Sequence, residues 1–258
     1  MDYQEITLKI TNGVGVITLN RPEVMNALNS KMRFEITHAI KTAESNARVV
    51  VLTGAGRSFC SGQDLADGGS AAILDLEATL RDEYVPMLKA IFDCKVPTIA
   101  AVNGPAAGAG ANLALAADVV IASHDAFFLQ AFSRIGLIPD AGGTYWLPRQ
   151  IGAARAMGAA LFADKISAQQ AVAWGMIYDS RPADEFDAHW RERAGALAQG
   201  PTTTYHHLKT AIRGSFENTL DEQLALEAKL QGKCGETNDF KEGVMAFLEK
   251  RPAKFEGH

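Results

Sequence analysis

The run Thr98-Ile99-Ala100-Ala101-Val102-Asn103-Gly104-Pro105-Ala106-Ala107-Gly108-Ala109-Gly110 decides the fold class. Its first five residues are β-branched or small and apolar, the composition of a strand buried on both faces. Asn103-Gly104-Pro105 stops that strand, and the small residues from Ala106 to Gly110 turn the chain into a helix expected over 109–117. A buried strand feeding a helix through a short glycine turn is the building unit of an α/β fold.

Working outward, Val49-Val50-Val51-Leu52 reads as a second buried strand, ended by Gly54. Upstream, Ile6, Leu8 and Ile10 alternate towards Asn12-Gly13, and Val14, Val16 and Thr18 alternate away from it, the pattern of a β-hairpin. Between these elements Ser30 is placed to cap a helix in which Ile36, Ala39, Ile40 and Ala43 recur at helical spacing. Residues 68–95 are predicted mainly helical, with Leu76, Leu80, Leu88 and Ile91 as core contacts. Downstream come short strands over 119–122 and 126–129, then helices over 151–162 and 167–174, the second closed by Gly175. Two amphipathic helices follow residue 200, and in the last of them Val244, Phe247 and Leu248 share a face. The expected organisation is an α/β core over residues 1–200 and a helical region over 201–258 that packs on the core and on neighbouring subunits.

Bulk properties narrow the function. With 47% hydrophobic and 21% charged residues over 258 positions, the chain can bury a sizeable core. A formal net charge of −5 argues against a phosphate-neutralising surface, so no nucleic-acid partner is expected. Cys60, Cys94 and Cys234 are odd in number and lack CxxC or zinc-finger spacing, which predicts a reduced intracellular chain and no metal. MDYQEITLKI has neither the basic segment nor the apolar run of a signal peptide. The most apolar stretch, 96–122, is interrupted by Pro97, Asn103, Pro105, several glycines and Asp118, so no membrane span is predicted. The expectation is a soluble cytoplasmic protein.

GxSxG, HExxH and the phosphate-binding GxxxxGK loop are all absent. Gly108-Ala109-Gly110 lacks the third glycine of a dinucleotide fingerprint. His206 and His207 have no acidic or cysteine partner at ligand spacing and read as surface or packing residues. Two junctions carry more. Thr53-Gly54-Ala55-Gly56-Arg57-Ser58-Phe59-Cys60-Ser61-Gly62-Gln63-Asp64-Leu65 follows one buried strand, and Asn103–Gly110 follows the other. In each, small residues let backbone amides approach a ligand, and two amides converging on one point would form an oxyanion hole for the enolate of a thioester. The same residues also satisfy the demands of plain tight βα turns.

These blocks resemble the crotonase (enoyl-CoA hydratase/isomerase) family. So do Arg21-Pro22-Glu23-Val24-Met25-Asn26-Ala27-Leu28, Gly136-Leu137-Ile138-Pro139-Asp140-Ala141-Gly142-Gly143-Thr144 and the tail from Asp239 to Arg251. The blocks run in family order from residue 20 to the C-terminus. The resemblance implies a spiral of β-β-α turns with a C-terminal helical trimerisation region, and a homotrimer or dimer of trimers. It implies an acyl-CoA substrate, with coenzyme A part of the substrate and no separate cofactor. The amides of Gln63 and Ala109 would form the oxyanion hole. Met25, Asn26, Ala27, Leu28, Ser61, Gly62, Asp64 and Leu65 would line the path of the CoA, and Phe247 and Lys250 match residues that reach the CoA of an adjacent subunit.

Hydratases of this family hold their water with two glutamates. The matching positions are Asn112 and Phe132, and neither can act as a base. One carboxylate stands nearby, Asp140, which fits either an N-cap for a helix beginning near Ala141 or, from the resemblance, the acid of certain isomerases of the family. Apolar neighbours such as Phe132 and Ile138 should raise its pKa. The expectation is a CoA-thioester isomerase with Asp140 as proton shuttle, acting on a ring-epoxide of phenylacetyl-CoA or on a 3-enoyl-CoA. Ala106, Gly108, Asn112 and Phe132 would form the acyl pocket, and small side chains at Ala106, Ala107 and Ala111 would leave room for a ring. The alternatives are another activity of the family or a catalytically silent acyl-CoA-binding protein.

Overall fold

The computed structural model describes residues 1–67 and 75–258. Asn12 and Gly13 both adopt left-handed φ values, 52° and 77°, and reverse the chain between antiparallel β1 (Ile6–Thr11) and β2 (Val14–Leu19). Parallel β3 (Val49–Gly54), β4 (Thr98–Val102), β6 (Val119–Ser123) and β9 (Asp179–Arg181) extend this hairpin into a six-stranded sheet of order β1-β2-β3-β4-β6-β9. In a second sheet of order β5-β7-β8, β7 (Phe127–Leu129) pairs with β5 (Ala106–Ala107) on one side and β8 (Ile166–Ser167) on the other. The spiral follows from this alternation: β4 and β6 each give their next strand, β5 and β7, to the second sheet, and β8 returns the chain to β9.

The apolar strands are buried on both faces, which is why they read as continuous runs. Val50, Leu52, Ala100, Val102, Val120 and Ala122 join the main core with helices α1 (Ser30–Asn46), α3 (Val85–Phe92) and α4 (Ala109–Leu115). Val49, Val51, Ile99, Ala101 and Ile121 pack on the opposite face against Phe186, Trp190, Ala194 and Ala198 of α7 (Ala183–Ala198). The sequence reading did not find α7, because its many charged residues mask four inward positions. A further helical stretch comprises α2 (Leu76–Thr79) and a π-helical segment, Leu80–Tyr84, leading into α3. Leu88 and Ile91 are buried there and Leu80 packs on the core, whereas Leu76 is exposed and makes no core contact. The predicted helix over 68–74 lies outside the described residues.

Several boundaries differ from the sequence reading. Asn29, not Ser30, caps α1, its side chain accepting from the Met32 amide at 2.8 Å. α5 (Gly143–Phe162) breaks at Gly152, where φ is 77°, and α6 (Ala168–Trp174) ends on left-handed Gly175 as expected. Three helices, rather than two, follow residue 200: α8 (Thr202–Gly214), α9 (Leu220–Gly235) and α10 (Asn238–Glu249). A capping box between Thr219 and Glu222 starts α9 and separates it from α8. Charge fixes α8 to the core: Lys209 and Arg213 reach Asp118 at 2.8 and 2.6 Å, and Asp118 in turn accepts from Thr98. Among the described residues no helix is long and apolar enough to cross a membrane, and no three His, Cys, Asp or Glu side chains are grouped to hold a metal.

Candidate active site

The two glycine-rich junctions lie side by side. Cys60 and Ala106 form a parallel bridge, with the Ala107 amide donating to Cys60 O at 2.9 Å. Gln63 and Ala109 stand three residues beyond Cys60 and Ala106, so they leave neighbouring strands at the same offset. A Cβ on Gly62 would sit 2.8 Å from Ala107 O and 3.4 Å from the Ala109 nitrogen, and Gly62 itself has a φ of 99°. Only glycine lets the junctions approach this closely. A Cβ on Gly110 would likewise overlap Cys60 O, so α4 starts directly against the neighbouring strand. Neither the Gln63 nor the Ala109 amide has an acceptor among the described residues.

Buried polar groups hold Gln63 in place. Leu28 bridges to Gln63, with Leu28 N donating to Gly62 O and Asp64 N donating to Leu28 O. Arg33, 2% exposed, donates to Leu28 O at 2.6 Å and to Gln63 Oε1 at 2.9 Å, and pairs with Glu83 at 2.7 Å. Tyr84, at the end of the π-helical segment, gives its hydroxyl to the same Gln63 oxygen. The sequence reading missed Arg33 and Tyr84. The signal for Arg33 was present, since it sits between Met32 and Ile36 on the buried stripe of α1, where an unpaired charge would be very costly. Asp64 is fixed by Arg21 at 2.8 Å. Burial raises the Asp64 carboxyl, but hydrogen bonds from Arg21 and the Ala66 amide outweigh that and hold it below the ordinary range.

Asp140 does not cap α5. Its carbonyl accepts the Gly143 amide at 2.8 Å, Gly142 opens the helix, and the carboxyl oxygen Oδ1 is buried with no hydrogen-bond partner among the described residues. Burial pushes the carboxyl up to about 6. The turn that carries it contains Ala141 at φ 47° and Gly142 at φ 83°. A non-glycine residue in this region costs on the order of 1 kcal/mol, and such strain gathers where a side chain must be aimed. The Asn112 side chain donates to Asp140 O at 2.7 Å and is fully buried.

The chain has the architecture and the ordered blocks of one known family. Its sequence matches the profile described as enoyl-CoA hydratase/isomerase over residues 9–258. The chain belongs to the enoyl-CoA hydratase/isomerase family. It is 59% identical over 257 residues, all of both chains, to a protein of Rhodobacter capsulatus named as a probable enoyl-CoA hydratase. It is 44% identical to the 1,2-epoxyphenylacetyl-CoA isomerase of Escherichia coli, over 96% of this chain and 97% of that one. The crystal structure of an enoyl-CoA hydratase from Bacillus anthracis superimposes with a TM-score of 0.91 at 32% identity, covering 99% of this chain and 100% of the other. The chain is thus an enzyme of the crotonase family, in an α/β fold of the crotonase type.

Within that family frame, several residues expected at the site stand elsewhere. In the 25–28 segment only Met25 is exposed. Asn26 is fully buried, accepting from Arg21 N and donating to Ala55 O and Ser58 O, and Ala27 and Leu28 are also buried, so these side chains do not reach the surface. Leu65 is exposed, Ser61 and Asp64 are half-buried, and Gly62 is buried against the second junction. Ala106 and Ala111 belong to the core, so their small size serves the packing of α4 on the sheet, whereas Ala107 is half-buried. Asn112 is fully buried, bonded to Asp140 O and to the Gln130 side chain. Gly108 and Phe132 do face each other, a Cβ on Gly108 lying 3.8 Å from Phe132 Cζ. Phe247 and Lys250 lie at the exposed end of α10, and Lys250 closes that helix at φ 53°.

Proposed function

We propose that this crotonase-family enzyme is a CoA-thioester isomerase in which Asp140 moves a proton between two carbons of the acyl group. The observation that carries the reading is the carboxylate inventory. Asp140 is a half-buried residue whose buried Oδ1 has no hydrogen-bond partner among the described residues, while Asn112 and Phe132 match, by the family resemblance, the two positions where hydratases keep glutamates. The Asp140 carboxylate removes a proton from the carbon next to the thioester carbonyl. The amides of Gln63 and Ala109 steady the enolate oxygen, and the protonated Asp140 returns the proton further along the acyl chain. No atom is gained or lost, so a 3-enoyl-CoA becomes the 2-enoyl isomer. A ring-1,2-epoxide of phenylacetyl-CoA, the substrate class named for the Escherichia coli relative, would be opened to the seven-membered oxepin.

Phe132 next to Gly108 would keep water from the enolate, which favours proton return over hydration. The competing reading, hydration, is favoured by the name given to the Rhodobacter capsulatus relative. Wild type and Asp140→Asn should be assayed on a 3-enoyl-CoA, on epoxidised phenylacetyl-CoA and on crotonyl-CoA plus water. Isomerisation lost in Asp140→Asn, with crotonyl-CoA hydration slow in both proteins, supports the proposal. Fast hydration by wild type, or an active Asp140→Asn, overturns it. For assembly, we propose a homotrimer or dimer of trimers that covers exposed apolar side chains such as Phe247 and Leu248 of α10 and Leu208 and Ile212 of α8.

A further inference from the structure

Asn112 ties together both ends of the segment that carries Phe132 and Asp140. Its side-chain amide donates to Gln130 Oε1 at 3.3 Å, and Gln130 Nε2 donates back to Asn112 Oδ1 at 2.9 Å, forming a closed amide pair with both residues almost wholly buried. Nδ2 also donates to Asp140 O at 2.7 Å. Gln130 precedes the short 3₁₀ turn Ala131–Ile135, and Asp140 ends the segment at the turn of Ala141 and Gly142. A Cβ at Gly143 would overlap Asn112 Nδ2, so glycine there is what admits the amide.

Resting on the reading of Asp140 as the acid, we infer that Asn112 and Gln130 are positioning residues that set the direction of the Asp140 carboxyl. A glutamate at position 112 carries no N–H to donate and would put a carboxylate against the Asp140 carbonyl. The residue that removes the hydratase base is thus the same one that supports the isomerase acid.

Asn112→Asp keeps the shape and the bond from Gln130 but loses the donor to Asp140 O, whereas Gln130→Met breaks the amide pair from the other end. On a 3-enoyl-CoA we expect each to lower kcat on the order of 10–100-fold with KM little changed, as a misaimed catalytic group does. In Asn112→Asp the acidic limb of the pH profile should also move upward, because a second carboxylate lies near the first. Gln130→Met gives the same kcat readout should Asn112→Asp fail to fold. If both variants keep kcat within about twofold and the acidic limb stays in place while Asp140→Asn is inactive, the positioning role is wrong and the acid assignment stands. If Asp140→Asn is itself active, the underlying reading falls, whatever the other two variants do.

Discussion

Asp140 combines two properties that pull against each other. In its proposed role as base it must be ionised, and with its carboxyl raised to about 6 the activity should fall as pH drops through that value. In stability the sign is reversed. The folded protein holds the proton between the ordinary pKa of 3.8 and about 6, where the unfolded chain has released it, so stability declines as pH rises through that window. Asp140→Asn should therefore stabilise the protein above pH 6, by on the order of 1–2 kcal/mol after allowing for solvent screening, and make little difference near pH 4. Calorimetric melts at pH 5 and pH 8 would read this as a gap in Tm that widens with pH. A gap of the opposite sign would show that the carboxyl is stabilised as the anion. The carboxyl proposed as the acid stands out in the sequence as the one carboxylate in its block. The groups around the two sites do not, because Gln130 is joined to Asn112, and Arg33 to Gln63, only by the fold.

At the scale of elements, the hairpin and the buried strands were legible because their patterns depend on local chemistry, the Asn12-Gly13 turn and runs such as Val49–Leu52. β5, β8 and β9 run two or three residues each and exist only through their partners, so periodicity had nothing to register. The start of α4 is the element most sensitive to size. Gly110→Ala would push Cβ into Cys60 O, displacing the helix, at a cost of about 1–3 kcal/mol. The proposed oxyanion amides would move apart, so kcat should drop more than stability accounts for. Wild-type turnover in Gly110→Ala would disprove that link. The docking of α8 is equally specific. Asp118→Ala removes the counter-charge of Lys209 and Arg213, both largely shielded from water and left with main-chain carbonyl acceptors, and should cost about 3 kcal/mol. Limited proteolysis should then cut first near Pro201, where α8 begins.

For the whole molecule, the sheet core and the C-terminal helices have different surfaces. Cavities of about 360 and 720 Å³ and many exposed apolar side chains gather along α8, α9 and the neighbouring face of α5. If these surfaces and the exposed apolar end of α10 meet other subunits, light scattering should give three or six times the chain mass, and Phe247→Asp with Leu248→Glu should lower it. A monomeric wild type would refute the assembly. The sequence could show that α10 has an apolar stripe, but not what would cover it, since that depends on a second chain. One arrangement inside the core has a consequence for how this scaffold tolerates change. The interval between the Gln63 and Ala109 nitrogens is set by hydrogen-bonded main chain, counted from one inter-strand rung at Cys60 and Ala106. Substitutions that spare Gly62 and Gly110 leave that interval unaltered, whereas deleting or inserting a single residue within 60–63 or 106–109 would put the two donors out of step.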